Sequence, residues 1–294
     1  DLLKLALGLA SGQEIRFDIG DGFINIDVPK RSEDRYFVTA ERLWERWDKQ
    51  NGKLCVPLGE NRYGEIVSID FSSSLTPHLL IGGTTGSGKS EALNTILFGL
   101  VKYYDPKEIM MFLVDPKGTE LQAFEDHTCL GAPIGWDGAD AISILEKCVQ
   151  EMQARLQKFK DKRQRTLPDY NAAVEDSERI PWWIVVLDEY ADLTTEPAEK
   201  KQLESLLQRL AQKARSAGVH VIVATQNPNA NVINTTVRSN LPAQLALRVR
   251  SGQESRIIMD EGGAEALNGM GDGFLKAGGE VVRVQCAKVE KQSL

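Results

Sequence analysis

This sequence predicts an α/β fold with a mostly parallel β-sheet flanked by helices, on the strength of three observations. From Pro77 onward, apolar runs of strand length ("HLLIGG", "IMMFLVD", "WWIVVLD", "HVIVATQ" and "AQLALRV") alternate with segments of helical spacing. The runs are nearly continuous in apolar residues, the pattern of strands buried on both faces by crossover helices. The segments between them carry one apolar stripe each, as helices packed on a sheet do.

Residues 14–28, "EIRFDIGDGFINIDV", alternate apolar and polar positions on both sides of "GDG". That alternation predicts two strands joined by a turn, the end of a small, partial α+β module. "TAERLWERWDKQ", from Thr39, has helical spacing at Leu43, Trp44 and Trp47, and "NGKLCVPLGENRYGEIVSIDF" returns to short strands and turns. A boundary near residue 50 is expected, with the preceding module over residues 1–50 and the larger domain over 51–294. "EALNTILFGLVKYY" follows the first apolar run as a helix. A long helix over residues 141–163 aligns Leu145, Cys148, Met152, Leu156 and Phe159. Another over residues 199–217 aligns Leu203, Leu206, Leu207, Leu210 and Ala214, and Gly218 ends it. Two basic tracts, "KFKDKRQR" at 158–165 and Arg209, Lys213 and Arg215 on the second helix, are expected as solvated helix faces.

A chain of 294 residues with 42% hydrophobic content has ample material for one large or two modest domains. Its longest apolar runs, such as "IVVL" at 184–187, fall far short of the roughly 20 residues a membrane span needs, so no membrane contact is expected within this chain. It begins at Asp1 without a targeting pattern, which suggests a piece of something longer that carries its anchor elsewhere, if it has one. Four scattered cysteines without a C-x-x-C pair, and three histidines, argue against a disulfide frame or a zinc site and fit a cytoplasmic location. The net charge of −7 repels nucleic acid at long range, so any contact with a polyanion has to be local.

Residues 83–90, "GTTGSGKS", satisfy G-x-x-x-x-G-K-[ST] between a strand and a helix. Glycines there let successive backbone N–H groups converge on phosphate oxygens, and the positive end of the following helix adds to the attraction. ATP and Mg²⁺ are the expected ligands. The expected nucleotide cradle is Gly83, Thr84, Thr85, Gly86, Ser87, Gly88, Lys89, Ser90 and Glu91, with Lys89 on the β- and γ-phosphates and the Ser90 hydroxyl on the metal. "IVVLDE" supplies the second half of such a site: Asp188 to hold the metal and Glu189 to polarise a water for in-line attack. "DPKG" at 115–118 formally fits the D-x-x-G of a GTPase switch, but no N-K-x-D is present to recognise guanine. "IMMFLVD" lies between cradle and acid in the chain, like the extra strand that some ATPases insert between their two Walker strands. Thr225 and Gln226, at the end of "HVIVATQ", stand where they can sense a γ-phosphate, and Gln226 joins Lys89 and Glu189 in the expected catalytic set.

With these residues in place the chain resembles the motor domain of the FtsK/SpoIIIE family of hexameric double-stranded DNA translocases. "PHLLIGGTTGSGKS", "DPKGTEL", "VVLDEYADL", "RLAQKARSAGVHVIVATQNP", "ESRIIMDEGGAEALNGMGDGFL" and "VVRVQ" are similar to family blocks and follow the family's order, over residues 15–289. The resemblance implies a RecA-like P-loop ATPase that forms a homo-oligomeric ring, a hexamer, around duplex DNA. It implies an arginine that completes a neighbouring subunit's site, and Arg256 matches that position, with Arg248 and Arg250 nearby. It also implies basic residues after "ATQ" that face DNA. Arg238 matches one, whereas Asn227 and Gln244 stand where the family commonly has basic residues. Two other roles are open at this point: the motor module of a type VII-like protein secretion system, and a scaffold that assembles on ATP without sustained hydrolysis.

Overall fold

The computed structural model describes residues 2–9, 15–20, 23–28, 30 and 36–290. The chain divides into two units, residues 1–37 and 38–294. In the first, helix α1 (Leu2–Ala6) precedes a hairpin of β1 (Arg16–Gly20) and β2 (Phe23–Asp27), paired antiparallel from Arg16 with Asp27 to Gly20 with Phe23. The expected turn at residues 21–22 lies outside the described residues, as does residue 14.

The division falls before residue 50 because residues 38–50 belong to the core of the second unit. Helix α2 (Ala40–Glu45), capped by the Thr39 hydroxyl, buries Ala40 and Leu43 with Val38, Ala287 and Val289. Thr39 also bridges Lys288, so the C-terminal segment is stitched to this entry point.

Nine strands form the large sheet. They are β3 (Cys55–Glu60), β4 (Ile66–Asp70), β5 (Leu79–Gly82), β6 (Ile109–Val114), β7 (Trp182–Leu187), β8 (Val219–Thr225), β9 (Ala243–Leu247), β10 (Asp272–Ala277) and β11 (Glu280–Cys286). Their order is β4-β3-β11-β10-β9-β5-β8-β7-β6. The half from β9 to β6 is parallel throughout, as the alternating pattern predicts. The half from β4 to β9 is antiparallel and joins it through the β9–β10 pair, making the sheet mixed. Between the two Walker strands in space lies β8, not "IMMFLVD": β6 forms the outer edge beyond β7.

Alternate residues of the parallel strands enter two cores. Leu79, Ile81, Ile184, Val186, Ile222 and Ala224 meet helix α3 (Lys89–Tyr103) on one face. Leu80, Val185, Leu187, Val219, Val221 and Val223 meet α4 (Gly138–Asp161) and, beyond the short α5 (Leu167–Ala173) and α6 (Tyr190–Leu193), α7 (Pro197–Ala217) on the other. Each buried leucine of α7 contributes roughly 1.5–3 kcal/mol. Gly218 ends that helix in the left-handed region at φ +70°, where its N–H reaches the carbonyl of Arg215. Helices α8 (Thr235–Ser239) and α9 (Gly252–Met259) complete the fold, capped by Asn234 and Ser251.

On α4 the stripe of apolar residues contains one charged member that its spacing does not announce. Arg155 is fully buried, donates to the carbonyl of Ala217 at 2.9 Å and to Glu151 at 2.9 Å, and stacks 4.9 Å from the Trp183 ring. It satisfies the otherwise open C-terminal end of α7. Arg155→Met keeps the stem's volume and removes the donors, so it is expected to lower stability by about 2 kcal/mol, measured as a drop in urea midpoint at unchanged slope.

Candidate active site

Parallel strands put all their C-terminal ends on one edge, the edge where open α/β sheets bind ligands. Gly82 of β5, Val114 of β6, Leu187 of β7, Thr225 of β8 and Leu247 of β9 end there, and the candidate residues are the next few in each loop. That shared edge brings "GTTGSGKS", "DPKG", "DE" and "TQ" together although more than a hundred residues separate the first from the last.

The glycine-rich loop runs from β5 into the first turn of α3. Gly86 and Gly88 have φ +77° and +99°, a region that L side chains avoid. The carbonyls of Gly86 and Ser87 turn outward to accept from Met270 at 3.2 Å and Gly271 at 2.8 Å, which makes residues 269–271 a second wall of the cradle. Thr84 donates to the carbonyl of Arg248 at the end of β9, and Gly83 to that of Thr225. Among the described residues no acceptor takes the N–H groups of Gly86, Gly88, Lys89, Ser90 and Glu91. The buried Ser87 hydroxyl is likewise without a partner. A loop of open donors at the positive end of a fifteen-residue helix is suited to an anion carrying several oxygens.

At Gly88 the close approach to the second wall leaves no room for a side chain. A Cβ there would stand 2.4 Å from the backbone nitrogen of Gly271 and 2.8 Å from its Cα. Gly88→Ala must therefore open the cradle while also paying left-handed strain. We expect nucleotide affinity to fall by about ten- to a hundredfold, as measured by titration with a fluorescent nucleotide.

Two ion pairs occupy the strand tips, the first of them buried. Lys89, 3% exposed, is hydrogen-bonded to Asp188, 2% exposed. Burial raises the Asp188 carboxyl above its ordinary range, and Lys89 opposes that rise only in part. Glu189 is held on three sides: its Oε2 accepts from Lys117 Nζ at 2.9 Å, and its Oε1 from the backbone N–H of Gln226 at 2.9 Å and the Thr225 hydroxyl at 3.4 Å. Its backbone is left-handed, φ 44° and ψ 55°, a conformation costing a non-glycine residue about 1–2 kcal/mol. Such strain at a strand tip is a mark of a functional position. Gln226 in turn accepts at Oε1 from the Thr85 hydroxyl of the glycine-rich loop at 3.1 Å.

Lys117 and Asp115 were not candidates from sequence, where "DPKG" suggested only a switch motif without its partner. Asp115 builds the turn: its buried carboxylate accepts from the N–H groups of Lys117, Gly118, Glu120 and Leu121 at 2.9–3.1 Å. A carboxylate followed by a glycine that can adopt φ +63° is the available signal for such a turn.

The expected arginines fall differently. Arg256 is exposed on α9, and no hydrogen bond or ion pair engages its guanidinium among the described residues. Arg238 is engaged within the chain: it pairs with Asp260 at 2.9 Å and donates to the carbonyl of Arg256 at 3.1 Å, closing the C-terminal end of α9. Gln244 is buried in β9 and so faces no outside partner. Lys160 of α4 and Arg209 and Lys213 of α7 line one open groove between the two helices, with Gln153, Gln157 and Gln212. All four cysteines are buried and unpaired.

Comparison with known proteins agrees with this fold. The FtsK/SpoIIIE family model matches residues 39–230. The DNA translocase FtsK of Streptococcus pneumoniae (strain ATCC BAA-255 / R6) is 37% identical over 284 residues, covering 92% of this chain and 36% of the relative. That of Leptospira interrogans serogroup Icterohaemorrhagiae serovar copenhageni (strain Fiocruz L1-130) is 33% identical over 303 residues, covering 100% of this chain and 31% of the relative. The chain thus spans about a third of the length of these relatives. Among solved structures, the pCW3 conjugation coupling protein TcpA, in its monomer form with ATPγS, matches with a TM-score of 0.75 at 23% identity, covering 99% of this chain and 80% of that one. The cytoplasmic domain of the Thermomonospora curvata type VII secretion ATPase EccC matches with a TM-score of 0.75 at 26% identity, covering 87% and 32%.

Proposed function

This chain belongs to the FtsK/SpoIIIE family, and we propose from that premise that it is the ATP-hydrolysing motor of a double-stranded DNA translocase. The observation that carries the reading is the meeting, at one sheet edge, of open loop donors with the two buried acids Asp188 and Glu189. Bound ATP with Mg²⁺ would supply a phosphorus electrophile and a divalent counter-charge.

The N–H groups of residues 86 and 88–91 bind the phosphate oxygens. Lys89 would exchange Asp188 for the β- and γ-phosphates, leaving the Asp188 carboxylate to hold the metal with the Ser90 hydroxyl. One carboxylate, Asp188, with one hydroxyl, Ser90, is a donor set that Mg²⁺ accepts when phosphates and waters complete its shell. Glu189 orients the attacking water and takes its proton, so its carboxylate has to be free of Lys117 when it acts. Gln226 and Thr225 donate to Glu189, and Gln226 accepts from Thr85 of the glycine-rich loop, so Glu189 would be held facing the terminal phosphate.

The chain acts as a homo-oligomeric ring, a hexamer, in which Arg256 completes the neighbouring site. Its guanidinium is exposed and, among the described residues, engaged by no hydrogen bond or ion pair, which suits that role. Arg238 reaches a DNA phosphate by exchanging it for Asp260, and a ring repeats that contact at every subunit, which offsets the acidic charge of the whole. Among the described residues no helix is long and apolar enough to cross a membrane, and ATP as fuel places the motor on the cytoplasmic side.

A second reading, the motor module of a protein secretion system, is favoured by the similarity to the EccC domain. One experiment separates them. ATPase activity of the full-length protein is expected to rise at least several-fold on adding duplex DNA; stimulation by a secreted protein and not by DNA selects the second reading, and activity indifferent to both rejects the motor.

A further inference from the structure

The hydrogen bonds described above form one unbroken line across the site. Lys117 Nζ donates to Glu189 Oε2, Glu189 Oε1 accepts from the N–H of Gln226, and Gln226 Oε1 accepts from the Thr85 hydroxyl of the glycine-rich loop. The line therefore begins at the "DPKG" turn and ends at the phosphate cradle. Its first member differs from the others in freedom. The backbone of Lys117 is fixed by the four N–H bonds to the Asp115 carboxylate, and Trp136 packs against Gly118, where a Cβ would meet its ring at 2.6 Å. The Lys117 side chain is 43% exposed, whereas that of Glu189 is 4% exposed. What is able to move is the ammonium on its four-carbon stem.

We propose that Lys117 is a positioning residue that restrains Glu189 in the nucleotide-free site and transfers to the terminal phosphate when a triphosphate fills the cradle, freeing Glu189 to act. The inference rests on the nucleotide reading given above. Charge accounting favours the exchange. Without ligand the site holds two neutral pairs, Lys89 with Asp188 and Lys117 with Glu189. A magnesium-bound triphosphate gives both members of the first pair a new partner, the phosphates and the cation. For the second pair it offers excess negative charge, which attracts the lysine and repels the carboxylate. Glu189 keeps two donors in the exchange, the Gln226 N–H and the Thr225 hydroxyl, so it stays in place as the lysine leaves.

The lysine stays charged throughout. Burial works to lower its pKa, but the hydrogen bond to Glu189 and the charges of Glu189, Asp192 and Asp188 outweigh it and raise the value overall. Asp192, 4.0 Å from Nζ, is too distant to hold the ammonium alone and too exposed to compete strongly with a phosphate. A diphosphate lacks the group that draws Lys117 away, so the residue discriminates triphosphate from diphosphate.

The test is binding of a non-hydrolysable ATP analogue and of ADP to the full-length protein, with Lys117→Met and Lys117→Arg. Lys117→Met is expected to weaken analogue binding by about tenfold, the worth of one charge-assisted contact, and to leave ADP binding unchanged. Lys117→Arg keeps the charge and should recover most of the loss. Equal weakening of both ligands assigns the lysine a structural role and overturns the proposal, as does an unchanged preference for the analogue. If the unaltered protein binds neither ligand, the nucleotide reading fails and this inference fails with it, an outcome distinct from a normal protein with an indifferent variant.

Discussion

Glu189→Gln is expected to cut turnover by about a hundred- to a thousandfold while leaving nucleotide affinity within a few-fold of the unaltered protein. Glutamine has the same length and an Oε1 that still accepts from the Gln226 N–H and the Thr225 hydroxyl, so the left-handed strand tip and the cradle keep their shape. What is lost is the negative charge that takes a proton from water. Affinity and rate should therefore separate: titration with a fluorescent nucleotide near normal, and phosphate release near background with duplex DNA present. A rate loss below tenfold would mean that another group takes the proton, and a parallel loss of affinity would mean that the substitution had disturbed the cradle. Lys117 also loses its anionic partner in this variant, so ATP binding is expected to tighten if it changes at all.

The parallel half of the sheet was legible because its strands are buried on both faces and read as apolar runs, and every one of the five was expected. The antiparallel half was less so. β10 and β11 carry Lys276, Glu280, Arg283 and Gln285 among their apolar residues, and their hairpin was visible only as a stretch similar to family blocks. Spatial order was not legible either, since a crossover helix does not record how many strands it passes over. "IMMFLVD" lies between the Walker strands in the chain, whereas in the sheet "HVIVATQ" does.

At the site, the distinction is between contacts made by backbone patterning and contacts made by side chains from distant loops. The glycine-rich loop and the acids after β7 belong to the first kind and have local signatures. Lys117 on Glu189, and the second wall formed by residues 269–271, belong to the second: nothing in "DPKG" or "NGMGDG" names its partner. Arg238 illustrates the opposite difficulty. A basic residue in a loop that resembles a DNA-facing segment suggests an outward role, yet the negative end of α9 and Asp260 are close enough to engage it first.

The pair Lys89 with Asp188 separates what the fold needs from what the site needs, and a double-mutant cycle makes the separation measurable. Both groups are almost wholly buried, so removing one leaves the other without its counter-charge. Lys89→Met is expected to destabilise the chain by about 3 kcal/mol near neutral pH. The loss should grow with pH for a definite reason. Burial already raises the Asp188 pKa, and Lys89 is the largest influence lowering it, so deleting Lys89 raises it further. A carboxyl whose folded pKa lies above its unfolded value lends stability while protonated and withdraws it as pH climbs through the folded value. Urea midpoints of Lys89→Met should therefore fall more steeply than those of the unaltered chain as pH rises above the ordinary carboxylate range. Adding Asp188→Asn removes the orphaned charge, and the double variant should return to within about 1 kcal/mol of the starting stability, because a buried ion pair contributes little net stability once both members are gone. Nucleotide affinity should remain lost in the single and the double variant alike. A double variant as unstable as either single one would mean that the pair is structural, and the case for Lys89 and Asp188 as a ligand-binding pair held in reserve would fall.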